Sequence, residues 1–404
     1  MYYNRNLITA EQHPVDGSEA SGVFDLATQA YSQSKKDWPI PDDDFDIAFR
    51  IELGNPVTVT VDRQTLGSVT YTVDWGDGTG VSTETGQSIF HNYSSAGIYI
   101  IKFKQVSGAA LCPGYPDHEI TAVYANSNYD TSTGKIVFQE KVALEFLAVP
   151  FGVFANVTDF SSQFKFCTSL KKFPLVDVSS GTNFSNAWSA CWGLKSFPAL
   201  SFNSATSFQG AWERCYSLQA FPSITNTSSI TNFKYAWYAC QSLASFPSID
   251  TSGGTDFERT WSNCGKLTSF PSINTGNGTN FGHTWSTCGR LTTFPSLDFG
   301  KGTTFRNAWQ LCGELANFPA DMFDSTGTLA SNAFFKSFEN CALTADSIKN
   351  ILMSLDANGQ NAGGSGIQLH INGHQNAGHS SWHQDAKDAL TSLQNKNWTV
   401  TYNS

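Results

Sequence analysis

The chain has 404 residues, carries a net charge of −10 and holds only 14% charged side chains. Typical soluble domains have about 25%, so the solvated surface must be built largely from Ser, Thr, Asn and Gly. An acidic chain without a Lys/Arg cluster fits a phosphate backbone poorly, which argues against nucleic acid as a partner. No apolar run approaches the roughly 18 residues that span a bilayer, so membrane insertion is not expected. Met1–Ala10 lacks the apolar core of a signal peptide, so export by the general route is not expected either. The length predicts two or three domains.

Residues 1–39 are mixed polar, with one patterned stretch, Gly22–Tyr31, ahead of Lys35-Lys36-Asp37-Trp38-Pro39. They read as an arm that docks onto another subunit, and this opening resembles that of structural proteins of marine tailed phages. Residues 40–107 read as a β-sandwich. Ile47–Leu53, Val57–Val61, Val69–Trp75 and Ile98–Phe103 alternate in period two and are separated by turn residues such as Gly76-Asp77-Gly78-Thr79. Asp74-Trp75-Gly76-Asp77-Gly78-Thr79, followed by His91-Asn92-Tyr93 and Gly97-Ile98-Tyr99, resembles the polycystic-kidney-disease (PKD) type of immunoglobulin-like (Ig-like) domain. The resemblance implies a spacer or docking module. Asp74 and Asp77 are weighed as cation ligands against turn capping, and no metal is expected. Residues 108–145 read as a linker and N-cap.

From 146 to 343 one frame recurs. Cys167, Cys191, Cys215, Cys240, Cys264, Cys288 and Cys312 are 24 or 25 residues apart, and a worn copy ends at Cys341. Trp188, Trp212, Trp237, Trp261, Trp285 and Trp309 stand three residues before their cysteines. Leucines such as Leu194 stand three after, and a Phe-Pro pair such as Phe197-Pro198 follows. Such a period means that no copy buries its apolar face without its neighbours. Phe184, Ala187, Trp188 and Cys191 lie at i, i+3, i+4 and i+7, which predicts a short helix capped by a polar turn like Ser252–Asp256. Leu194-x-x-Phe197 predicts a brief strand that Pro198 ends. The Trp, Cys, Leu and Phe of the frame are expected to be structural.

This frame resembles the leucine-rich repeats of the BspA-like (treponemal) type, with Trp where Phe is usual. That resemblance implies a non-catalytic recognition or adhesion scaffold. The expected fold class is therefore α+β with a solenoid: an N-terminal PKD/Ig-like β-sandwich, a leucine-rich-repeat solenoid, and an α/β C-terminal capping module over 344–404. In that cap, Ile348, Ile351, Leu352 and Leu355 mark one helix and Asp385–Leu393 a second, with strands at Ile367–Ile371 and Trp398–Tyr402. The cap resembles the closing segment of repeat proteins in phage tail and fibre genes.

Eight of the nine cysteines sit in the repeat frame and are expected as a column of buried free thiols rather than disulfides. His370, His374, His379 and His383 fall close together, but no His-Glu-x-x-His or cysteine pair accompanies them, so surface or turn-capping roles are favoured over zinc. No phosphate loop, nucleophile elbow or paired carboxylate stands out, so neither a catalytic residue nor a cofactor is expected. Trp192, Tyr216, Tyr235 and Tyr238 stand off the apolar stripe and are the candidate binding residues, an exposed patch suited to stacking on sugar rings or a partner surface.

The leading reading is a tailed-phage virion protein, a fibre, appendage or head-decoration component. It would be assembled in the host cytoplasm and displayed on the virion surface. Its N-terminal region would contact other virion subunits, its repeats a host-surface glycan or protein, and further copies of itself in a homo-oligomer. The rivals are a bacterial cell-surface adhesin and an enzyme within the cap.

Overall fold

The structure, a computed structural model, describes residues 45–63, 69–85, 88–108, 113–116, 120–125, 138–149, 151–360, 366–373 and 375–404. The arm at 1–39, Cys112 and His374 lie outside them.

Among the described residues nine strands come first: β1 (Ile47–Leu53), β2 (Val57–Arg63), β3 (Val69–Asp74), β4 (Val81–Glu84), β5 (Ser88–Tyr93), β6 (Gly97–Gly108), β7 (Pro113–Pro116), β8 (Ile120–Ala125) and β9 (Phe146–Ala148). They form a six-stranded sheet in the order β4-β3-β6-β1-β8-β9 and a three-stranded sheet in the order β5-β2-β7. Period-two alternation sends Phe49, Ile51, Val73, Ile101 and Phe103 of the larger sheet and Val59, Ile89 and Tyr93 of the smaller one into a shared core. Residues 108–145, read from sequence as a linker and N-cap, supply β7 and β8.

Strand β9 lies parallel to β8 and leads into the repeats. One chain of backbone hydrogen bonds continues outward from there: Lys171 N–H to Glu145 C=O, Lys195 to Lys171, Gln219 to Lys195, and so on to Ala316 and Thr344. Each link joins residues about one repeat apart, so successive copies stack in parallel.

The expected leucine-rich-repeat solenoid of short helices and strands is overturned. Apart from β9 and a short 3-10 helix at Phe151–Phe154, both ahead of the first frame cysteine, the described residues of 146–343 form no helix and no strand longer than an isolated bridge. The copies are runs of tight turns linked by isolated parallel bridges such as Asn183↔Ser207 and Lys172↔Ser196. Among the described residues the two α-helices are α1 (Ala345–Asn358) and α2 (Gln384–Asn395), both after the last copy. The chain is thus small sheets, a long aromatic-cored stack of turns, and a helical end.

The physical reason lies in two backbone positions per copy. The fifth and first residues before each cysteine are left-handed: Ser162 and Phe166, Asn186 and Ala190, Gly210 and Arg214, Tyr235 and Ala239, Arg259 and Asn263, His283 and Thr287, Asn307 and Leu311, Lys336 and Asn340, with φ between 56° and 63°. A right-handed helix cannot run through them. Alternate amides do different work instead. Phe184, Asn186, Trp188 and Ala190 donate to Ser207, Gln209, Ala211 and Glu213 of the next copy, while Ala187, Ser189 and Cys191 close turns onto Phe184, Asn186 and Trp188. The helical spacing of the apolar residues is real, but a chain of turns buries them.

Inside the stack, Trp188 to Trp309 lie face to face between Phe164 and Phe338, with ring centroids 4.9–6.3 Å apart. A second column, Phe173 to Phe318, stands nearly perpendicular to it, as Phe197 does to Trp188 at 4.8 Å. The six indole N–H groups are buried without an acceptor, a cost of about 1–3 kcal/mol each. Burial of the indole and ring contacts of about 0.5–1.5 kcal/mol each offset it.

Each cysteine of the repeat frame donates its S–H to the carbonyl of the aromatic one copy back, from Cys167 to Phe138 at 3.0 Å through Cys240 to Trp212 at 3.3 Å to Cys341 to Trp309 at 3.1 Å. Where other copies hold Ala187 or Ala211, Thr260, Thr284 and Ser337 donate in the same way to Phe233, Phe257 and Phe305.

Helix α1 closes the stack. Thr344 caps its N-terminus through Ser347 N–H, and Ile348, Ile351, Leu352 and Leu355 enter the core. The helix's polar residues replace the missing next copy. Ser347 and Ser354 accept from Phe318 and Phe323 N–H, and Asn350 and Asn358 donate to Phe318 and Phe323 C=O. Strands β10 (Ile367–Ile371) and β11 (Trp398–Tyr402) pair in parallel beside it, and β10 receives the last copy's ladder, Phe338 N–H to His370 C=O.

Candidate functional site

Two side-chain groups stand on the outside of this hydrogen-bonded backbone. The first is the aromatic set. Trp192 and Tyr216 occupy the position just after the cysteine in consecutive copies, with rings tilted by 33° at 6.1 Å. Trp192 is 46% exposed, and Tyr216 is half-buried. Their backbones are clamped by Gly193 N–H to Thr168 C=O at 2.8 Å and Ser217 N–H to Trp192 C=O at 3.2 Å. Gly193 permits this approach, since a Cβ there would come within 2.9 Å of the Thr168 carbonyl oxygen. Tyr235 and Tyr238 form a separate pair, edge to face at 5.5 Å, and both are half-buried. Among the described residues no ring contact joins the two pairs. The expected continuous patch is therefore one open pair and one partly covered pair.

The second group is a charged edge, which the repeat frame does not reveal because its residue types vary from copy to copy. It follows the sixth and fifth positions before the cysteines, joined by Tyr235 N–H to Glu258 C=O, Arg259 to Gly282, His283 to Arg306 and Asn307 to Phe335. Glu258 is held by Lys234 Nζ at 2.7 Å and by Asn280 Nδ2 at 3.3 Å. Lys234 and Arg259 both lie over the Tyr235 ring, and Arg306 and Lys336 over Phe335.

No protein-family model, curated protein or solved structure matches this chain.

The other candidates have local partners. Asp74 accepts from Gly76 N–H, and Asp77 accepts from Thr79 and contacts His91 Nε2 at 2.7 Å. Burial pushes the Asp77 carboxyl up, but the bonds from Thr79 and His91 outweigh it and hold the group at about 2. Both carboxylates cap the turn, and His91 stacks on Trp75 at 4.9 Å. Of the C-terminal histidines, His370 packs on Phe335, His379 on Trp382 and Tyr402, and His383 lies 3.2 Å from Asp346. Among the described residues no group of three or more His, Cys, Asp or Glu converges as a metal site would require. An open groove of about 550 Å³ between α1 and α2 is lined by Met353, Asp356, Asp385 and Asp388, and Lys396 holds Asp356 at 2.6 Å.

The expected core residues Trp188, Cys191, Leu194, Phe197, Trp212, Cys215, Trp237, Cys240, Trp261, Cys264, Trp285, Cys288, Trp309 and Cys312 are all buried. Burial pushes the thiols of Cys167, Cys288 and Cys341 up to about 12 and the rest of the column upward as well. They are packing groups and weak donors rather than nucleophiles. No described helix is long and apolar enough to cross a membrane.

Proposed function

We propose that this chain is a non-catalytic surface-recognition protein, displayed on a tailed-phage virion, whose stacked repeats hold aromatic side chains out toward a host-surface glycan. The observation that carries this reading is Trp192, a large apolar ring 46% exposed, tilted against Tyr216 and held on a backbone bonded to the copies on either side. A fixed, exposed aromatic pair offers a stacking surface for a sugar ring at little entropic cost. The resemblance of the N-terminal arm and of the closing segment to phage proteins supports the virion setting, with the N-terminal region docking on other subunits.

The test has two parts. Immunogold labelling with antibody to the full chain should decorate virions; labelling confined to bacterial surfaces would favour the adhesin reading instead. Binding of host-surface polysaccharide to the full chain should fall at least about tenfold in Trp192→Ala, the loss of roughly one good stacking contact. Equal binding by the variant would remove Trp192 from the reading.

A further inference from the structure

The parallel ladder of the stack ends at β11. The last copy passes its backbone bonds to β10, through Phe338 N–H to His370 C=O and Gln368 N–H to Ser331 C=O, and β10 pairs in parallel with β11. Strand β11 is the outer strand of that pair, and among the described residues no backbone hydrogen bond reaches Trp398–Tyr402 from its far side. The central copies of the stack are bonded on both sides, as Phe208–Arg214 is to the copies before and after it, whereas β11 is bonded on one.

The sequence leaves this edge unguarded. Trp398-Thr399-Val400-Thr401-Tyr402 holds no charge and no proline, and its five residues pair with β10 without a bulge. Those are the devices by which folded proteins usually blunt an open strand edge. Alternation turns Trp398, Val400 and Tyr402 toward the core and leaves Thr399 and Thr401 exposed on the opposite face. Trp398 is buried, but Val400 and Tyr402 are only half-buried, so the apolar side of the edge is incompletely covered.

The strand is also complementary to itself. Turned about a two-fold axis through Val400, an antiparallel pairing sets Val400 against Val400, Trp398 against Tyr402 and Thr399 against Thr401 of the other copy. Apolar side chains then meet on the core side and threonines on the outer side, the cross-strand pairs that stabilise antiparallel sheets. A slip of one residue would set Val400 against a threonine and put the two apolar faces on opposite sides of the sheet. Charge favours the same place. Each copy carries −10, so two copies repel in general, and an uncharged edge lets them meet without opposing like charges.

We propose that β11 pairs antiparallel with β11 of a second copy, joining two chains as a two-fold dimer at the closing ends of their stacks. The pairing does not rest on the glycan reading. One strand edge is a small interface, below the roughly 1,200–2,000 Å² of a standard stable complex, so the dimer is expected to dissociate in the micromolar range.

The experiment is sedimentation velocity on the full chain from about 0.1 to about 100 μM at near-physiological salt. The parent chain should pass from monomer to dimer across that range and go no further, because a two-fold contact closes on itself. Thr399→Lys combined with Thr401→Lys sets two like-charge pairs across the axis and should weaken the dimer about tenfold or more, although it makes each copy less acidic overall. Thr399→Lys combined with Thr401→Glu sets two opposite-charge pairs instead and should dimerise at least as tightly as the parent. Both threonines are exposed, so thermal unfolding of the two variants at low concentration should match that of the parent. The proposal is overturned if the parent chain stays monomeric at about 100 μM, if it forms open-ended oligomers, or if the two double variants associate equally.

Discussion

The two-sheet region and the repeat stack solve one problem by different means. Both bury aromatic and aliphatic side chains and satisfy their backbones with inter-segment hydrogen bonds. In the sheets the bonds join strands whose alternation is visible over a handful of residues, as in β1 against β6. In the stack the donors alternate too, but between the next copy and a local turn, so the side chains repeat with the period of a helix while the backbone is not one. Spacing along a sequence reports which residues share a face. It does not report the backbone that puts them there.

The largest expected effect sharpens this contrast at the centre of the spine. Trp237→Ala should cost on the order of 3–5 kcal/mol in chemical denaturation, since it empties a site stacked on Trp212 and Trp261. Trp237→Phe should cost less than about 1.5 kcal/mol, because Phe164 and Phe338 fill the same position in the flanking copies and the substitution removes an unpaired N–H. Equal losses would mean that ring stacking is not what holds the copies.

Acid should strike the two regions in sequence. His283 sits at about 4 against an ordinary 6.5, so the unfolded chain takes up its proton first and the stack loses stability as pH falls from about 6.5 to about 4. Asp77 sits at about 2 against 3.8, so its contribution to the sheet region is complete above 3.8 and is lost as pH falls through about 2. Thermal melts across this range should show the first loss, and His283→Asn should reduce it. An unchanged profile in that variant would contradict the assignment.

Smaller effects test the sulfur column and the surface. Cys240→Ala should cost about 1 kcal/mol and Cys240→Ser less, since the hydroxyl keeps a donor to the Trp212 carbonyl. In the native chain the eight frame cysteines should resist alkylation at neutral pH, and they should react once it is unfolded. Trp192→Ala should change stability by no more than about 0.5 kcal/mol, because its ring is largely outside the core.

Much of this was legible. The Cys, Trp, Leu and Phe columns follow from their spacing, and the apolar faces of α1 and α2 from theirs. The turns at Asp74 and Asp77 follow from Gly and Asp in turn positions. The backbone of the repeats was not legible from apolar periodicity, although a signal for it exists. Asn186, Gly210, Asn263, Asn307 and Asn340 fall at the left-handed positions, and Asn and Gly are the residues that adopt that conformation most readily. Tyr235, Arg259, His283 and Leu311 share those positions and hide the pattern. The charged edge was equally hidden, because Lys234, Glu258, Gly282 and Arg306 become neighbours only once the copies are stacked in register.

The central claim is that each copy is a chain of turns with left-handed residues at two fixed places. Leu311 tests it most directly, since it is 46% exposed, has φ of 63° and loses little burial on truncation. Under this account Leu311→Gly relieves backbone strain and should stabilise the chain by up to about 1 kcal/mol in thermal or denaturant unfolding. A loss of about 1 kcal/mol, as glycine causes inside a helix, would contradict it.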